Sequence, residues 1–314
     1  MIIEANKLSK KYKKVKFKGL FKKEYSESLA VKDVNLSIKK NEHIGLVGLN
    51  GSGKSTLIKM ILGILQPSEG SIKTFGLDPI KYRQKIAMHI GIVFGQRSQL
   101  RWDLPPIDTL KLNKEIYQIP NEVFEKRLTK LTTLLNVENF LFQPVRTLSL
   151  GQRMKAEFIT ALIHDPDLII LDEPTIGLDV VTKNSIVNFL KTLTKKTIIF
   201  TSHNLEEVEN ICSRVLILNK GELILNKEIK DLDNLDTPTT IKFTSQENLQ
   251  EISKYVSNVQ KISEDSYEIS NIKKNEVKKI LSSITSEVNI QHIEVKRSKL
   301  EYLLEQTAKK SGEL

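Results

Sequence analysis

The first two thirds of the chain alternate between two hydrophobic textures. Short apolar runs bounded by turn residues occupy residues 43–47, 89–94, 168–171, 197–201 and 214–219, and each predicts a buried strand. Residues 1–12, 29–39 and 71–75 predict three more. Residues 57–62, 80–86, 149–163, 181–195 and 205–212 predict helices between them. From 105 to 141 a spacing of three to four holds through Ile107, Leu110, Leu112, Ile116, Val123, Phe124, Leu128, Leu131 and Leu135, which predicts a helical insertion. Strands alternating with helices imply βαβ units around a largely parallel sheet. The expectation is an α/β domain over residues 1–232 with a helical subdomain at about 97–150.

Residues 231–238 (Asp-Leu-Asp-Asn-Leu-Asp-Thr-Pro) read as a linker. The tail then predicts a strand (240–244), a helix (247–256), two strands (259–262 and 266–269), a helix (275–285), a strand (288–295) and a helix (300–308). That βαββαβ order predicts a small ferredoxin-like α+β domain over 238–314.

Composition narrows the class. Charged residues make up 27% of 314, and no stretch reaches the ~18 apolar residues of a membrane helix. Residues 1–8 lack the apolar core of a signal peptide, so a cytoplasmic location is expected. One cysteine, Cys212, excludes an internal disulfide and reads as a small apolar residue on a helix face. The net charge of +10 is uneven: residues 10–23 hold eight lysines and no acid, interleaved with Tyr12, Phe17, Leu20 and Phe21. That pattern suits either an anionic membrane surface or a solvated loop inserted between two strands.

The chemistry centres on Gly48-Leu49-Asn50-Gly51-Ser52-Gly53-Lys54-Ser55-Thr56, between a predicted strand and a predicted helix. Glycines there let backbone N–H groups converge on an anion, and the helix N-terminus adds positive potential. The spacing is that of a P-loop, with Lys54 on the β/γ-phosphates and Ser55 on magnesium. Asp172 ends a buried strand, where a carboxylate completes a magnesium site, and Glu173 follows it, placed to orient or deprotonate water.

Further motifs follow in order: Leu148-Ser149-Leu150-Gly151-Gln152, Leu171-Asp172-Glu173-Pro174, Gly177-Leu178-Asp179 and Thr201-Ser202-His203. The set resembles the nucleotide-binding subunit of an ABC transporter over residues 1–230. The resemblance implies an ATP- and magnesium-dependent ATPase that dimerises with a second copy of itself around two ATP molecules. It implies that Lys54, Ser55, Thr56, Gly48, Asn50, Gly51 and Gly53 cradle the phosphates. Asp172, Ser55 and Gln96 would hold magnesium, Glu173 would be the general base, and His203 would contact the γ-phosphate. Asp179 would order the dimer interface, and Ser149, Gly151 and Gln152 would serve the nucleotide held by the other protomer. Tyr12 matches the aromatic that stacks on adenine, with Phe17, Phe21 and Tyr25 as alternatives. Leu150 departs from the family pattern by replacing the first of two glycines.

Residues 95–105 (Gly-Gln-Arg-Ser-Gln-Leu-Arg-Trp-Asp-Leu-Pro) and 175–181 resemble a bacterial group of multidrug-type exporters with separate permease subunits. The resemblance makes Arg101 and Trp102 candidates for permease contact; the alternative is that Trp102 only packs the helical subdomain. The implied function is export of a drug-, peptide- or lipid-like compound, from the inner face of the cell membrane. A ribosome- or nucleic-acid-directed ABC protein and a sensor or immunity module stay open as alternatives. His43, His89, His164 and His292 lack ligand spacing and read as structural.

Overall fold

The structure is a computed structural model that describes residues 1–18, 22–95, 97–234, 238–273, 275–296, 300 and 302–304. It separates into two compact units, residues 1–229 and 230–314.

The first unit opens with β1 (Ile3–Lys18) and β2 (Lys22–Ile38), an antiparallel hairpin. Next come β3 (His43–Val47), α1 (Lys54–Ile61) and β4 (Glu69–Thr74), the last returning to the free edge of β1. α2 (Arg83–Ala87) and β5 (Ile90–Phe94) lead into the helices α3 (Pro106–Ile116), α4 (Asn121–Leu135) and α5 (Leu150–Leu162). The chain then alternates through β6 (Leu168–Asp172), α6 (Val180–Thr192), β7 (Thr197–Thr201), α7 (Leu205–Ile211) and β8 (Arg214–Asn219). It turns back as β9 (Glu222–Glu228).

The central sheet has the order β5-β6-β7-β3-β8-β9, parallel except for β9. Strands β6, β7 and β8 are apolar almost throughout because helices cover both faces of a parallel sheet. Ile44, Leu46, Leu168, Ile170, Ile199 and Leu216 share one core with Leu57, Ile58, Met60 and Ile61 of α1. The order places the C-terminal ends of β5, β6, β7 and β3 side by side, where ligands of open α/β sheets bind.

The lysine-rich stretch departs from the sequence expectation. β4 accompanies β1 only as far as Ser9↔Glu69, yet β1 and β2 stay paired from Lys11↔Leu29 out to Lys18↔Lys22. Those lysines lie on paired strand backbone, not in a loop inserted between strands. Lys14-Val15-Lys16-Phe17-Lys18 alternates with the strand period of two, which is the physical reason.

The second unit runs β10 (Thr239–Ser245), α8 (Leu249–Ile252), β11 (Val259–Ser263), β12 (Ser266–Ile272), α9 (Val277–Glu287) and β13 (Ile290–Lys296). Its sheet is antiparallel in the order β11-β12-β10-β13, the ferredoxin-like arrangement. Ile241, Phe243, Tyr267, Ile269, Ile252 and Ile284 form its core. Residues 229–234, at the start of the region read as a linker, instead form a short 3₁₀ helix with Leu232 buried. The first predicted tail helix is confined to α8, where Ser253 donates its hydroxyl back to the carbonyl of Leu249. Of the last predicted helix, Leu300 and residues 302–304 are helical, and 305–308 fall outside the described residues.

Candidate functional site

The loop from Gly48 to Gly53 joins β3 to α1 and is shaped by close approach. A Cβ on Gly48 would come within 2.2 Å of the Leu218 carbonyl oxygen, and one on Gly53 within 2.3 Å of that of Ala30. Gly53 also has φ 110°, a conformation that disfavours side chains. Strand β2 and the β8–β9 turn therefore clamp the loop, with Gly221 N–H donating to the Ser52 carbonyl at 2.9 Å. The hydroxyl of Ser52 is buried without a partner, so the loop keeps a donor that the protein does not satisfy. Lys54 folds over the loop, its ammonium donating to the carbonyls of Gly48 (2.7 Å) and Leu49 (3.2 Å). Burial lowers the pKa of this ammonium, while Glu173 and Asp172 nearby partly hold it up. The structure thus brings Lys54 together with both carboxylates from the end of β6.

Asp172 and Glu173 are set by the neighbouring strand. Thr201 at the end of β7 donates its hydroxyl to Asp172 Oδ1 at 2.8 Å, and that hydroxyl's own oxygen, Thr201 Oγ1, accepts from Glu173 N–H at 3.0 Å. Glu173 stands at φ 53°, uncommon for a side-chain-bearing residue. Its carboxylate Oε1 lies 2.8 Å from His203 Nε2. Sequence reasoning placed Thr201 only in the Thr201-Ser202-His203 motif and gave it no role of its own; the one sign was a hydroxyl at the end of the strand.

Ser149 caps α5 through a reciprocal box, accepting from Gln152 N–H at 3.2 Å while Gln152 Oε1 accepts from Ser149 N–H at 2.9 Å. Asp179 caps α6, and hydrogen bonds from Thr182 hold its carboxyl below the usual range. The two helix starts abut: a Cβ on Gly151 would meet the Thr182 side chain at 2.9 Å. Leu150 packs toward Gly177, 3.2 Å from where a Cβ there would sit.

Tyr12 is paired with Ser28, two residues along β2 from the Ala30 that touches Gly53, and Lys10 lies 5.7 Å from its ring. Position 17 lies five residues further out along β1, roughly 17 Å at ~3.4 Å per residue, and Tyr25 pairs with Val15. Among the alternatives, register favours Tyr12 for proximity to the loop. Phe21 and Gln96 lie outside the described residues. Asn50, Gly51, Ser55 and Thr56 occupy the loop and the first turn of α1.

Comparison with known proteins gives the family. A family model described as ABC transporter matches residues 31–176. The ABC transporter ATP-binding protein NatA of Bacillus subtilis is 35% identical over 205 residues, covering 65% of this chain and 83% of NatA. The chain belongs to the ABC transporter ATP-binding proteins. The linearmycin resistance ATP-binding protein LnrL of Bacillus subtilis is 35% identical, covering 71% of this ATP-binding protein and 72% of LnrL. Among solved structures, cbiO1 from Clostridium perfringens, part of the ABC transporter complex cbiONQ, superposes with TM-score 0.63 at 28% identity, covering 74% and 90% of the two chains. The cassette MJ0796, dimeric and bound to ADP and Pi, gives TM-score 0.61 at 26% identity, covering 72% and 98%. This ATP-binding protein is therefore an ATPase with the P-loop fold of that family.

Proposed function

We propose that the chain powers an exporter: two copies close around two ATP molecules and drive separate permease subunits that expel a drug-, peptide- or lipid-like compound. The observation that carries the dimer is an exposed apolar rim on the very segments that bear the site. Leu49, Leu150, Ile176, Val180 and Val181 are all exposed, the last at 79%. Large apolar side chains left exposed on several functional loops fit a surface that a second copy covers. Ser149 and Gly151 then complete the partner's nucleotide site, and Tyr12 stacks on adenine.

Within one site, the clamped glycines and the donors of Lys54 and α1 fit a triphosphate. Ser55 and Asp172 would hold magnesium through oxygen donors, and the family resemblance adds Gln96 as a further ligand. The metal would supply neutralisation of charge on the phosphate oxygens. Glu173 accepts the proton of a water whose oxygen attacks the γ-phosphorus; the bond to the bridging oxygen breaks and ADP carries that oxygen away. His203 holds Glu173 in place through Nε2, 2.8 Å from its carboxylate, and contacts the γ-phosphate.

Permease docking is supported by a cavity of about 170 Å³ where the helical region meets the sheet core, lined by Leu62, Ile64, Arg83, Gln99, Tyr117 and His164 among others. Trp102 is 57% exposed, with the Arg153 guanidinium of α5 5.9 Å from its ring, and that exposure supports its role as a permease contact. Export is supported by the Nod factor export ATP-binding proteins among the relatives, and a drug-like cargo by LnrL, which is named for linearmycin resistance. No helix among the described residues is long and apolar enough to cross a membrane. On the export reading the chain works from the cytoplasm at the inner membrane face, its lysine-rich hairpin against anionic lipid.

Purification of the tagged chain from gently solubilised membranes of its native host tests this. Stoichiometric polytopic partners are expected. Ribosomal or other soluble partners, with the chain absent from membranes, would overturn the export reading. Replacing the lysines of residues 10–23 by glutamine should lower partition onto phosphatidylserine vesicles, and unchanged partition would refute the lipid contact.

A further inference from the structure

Beside the Glu173–His203 pair lies another carboxylate that the reading above leaves unused. Glu207, in the first turn of α7, is 5% exposed. Its Oε2 accepts from the Thr175 hydroxyl at 2.6 Å and from the Ser202 hydroxyl at 2.9 Å, and its Oε1 meets the Lys183 ammonium at 2.7 Å. Thr175 follows Glu173 by two residues, and Ser202 immediately precedes His203. Lys183 stands in the second turn of α6, its N–H donating to the carbonyl of Asp179 at 2.9 Å. One carboxylate thus ties together the three segments that carry Glu173, His203 and Asp179.

The bonds are not there to build α7. The start of that helix is capped by Asn204, whose side chain accepts from the N–H groups of Glu206 and Glu207. All three partners of the Glu207 carboxylate named here lie outside its own helix, two of them on loops, and all are donors. An ionised carboxylate is the one side-chain group that accepts from several donors at once through two oxygens.

We propose that Glu207 is a positioning residue for hydrolysis: it holds the loop after Glu173 and the loop before His203 in one register. The two groups, 2.8 Å apart, are then held in fixed relation to each other, which a positioned general base needs. Glutamine in its place keeps the size and removes the chemistry. Either its NH₂ faces the Lys183 ammonium, donor against donor, or it faces Thr175 and Ser202, whose hydroxyls must reverse. Ser202 Oγ already accepts from Asn204 N–H at 3.0 Å.

The test is steady-state ATP hydrolysis by the full chain carrying Glu207→Gln, with a thermal melt to establish folding. Because small displacements at a reacting centre cost up to ~100-fold, kcat is expected to fall about 10- to 100-fold. KM for ATP should stay within about threefold, since the phosphate loop makes none of these contacts. The Thr175→Val/Ser202→Ala double variant keeps the Glu207–Lys183 ion pair and should show the same kcat-selective loss. It decides the matter alone if Glu207→Gln fails to fold. Folded variants with kcat within about threefold of the parent, or with kcat and ATP affinity falling in equal proportion, would overturn the proposal.

Discussion

Replacing Thr201 by valine isolates the contact that sets both acids. The side chain is fully buried, and its Oγ1 donates to Asp172 Oδ1 at 2.8 Å and accepts from Glu173 N–H at 3.0 Å. Valine keeps the β-branch and removes both bonds. Glu173 N–H retains the Thr201 carbonyl at 3.1 Å, so the loss is dominated by the bond to the carboxylate. Hydrogen bonds to charged groups contribute about 1.5–3 kcal/mol. At roughly 2–4 °C per kcal/mol for a unit of this size, the melting midpoint should drop by about 3–12 °C. Because the lost bonds also orient Asp172 and Glu173, turnover should fall by tenfold or more, at ~1.4 kcal/mol per decade. Thermal melts and initial-rate ATPase assays on the purified chain measure both. A variant that melts and turns over like the parent would refute the claim that this hydroxyl sets the acids.

Glu173→Gln should lower kcat by at least ~100-fold while ATP still binds and dimers accumulate on size exclusion; turnover at the parent rate would remove Glu173 from the role of base. Lys54→Ala should weaken binding of a fluorescent ATP analogue by about 10-fold or more, and unchanged affinity would contradict the phosphate cradle. His164 gives a pH signature. Burial pushes its imidazole down to about 4 from the ordinary 6.5, so the folded chain keeps it neutral while the unfolded chain takes up a proton below 6.5. Its contribution is constant above pH 6.5 and is lost as pH falls from 6.5 to 4, by about 3 kcal/mol in all. Denaturant titrations of the parent and His164→Gln should diverge in that window, and parallel curves would show that the imidazole does not titrate on unfolding.

Local sequence alone determined the chemistry. The phosphate loop needs glycines beside a lysine at fixed spacing, and Asp172-Glu173 must end an apolar strand; both constraints act within a few residues and are legible there. The strand–helix alternation was legible for the same reason, since burial imposes its period directly. Even the lysine-rich hairpin left a local trace in Lys14–Lys18, masked by the weight of its charge.

What only the tertiary structure decided are the relations between distant segments. Strand order set β7 beside β6, which delivers Thr201 to Asp172 from 29 residues away. Packing of two helix starts put Gly151 on Thr182, and one buried acid gathered Thr175, Lys183 and Ser202. Glu207 is in sequence only an acid in the first turn of a helix, where acids are common for their effect on the dipole. Its partners are set by how α6, α7 and two loops close over the sheet edge, and that closure is written in no single stretch of the chain.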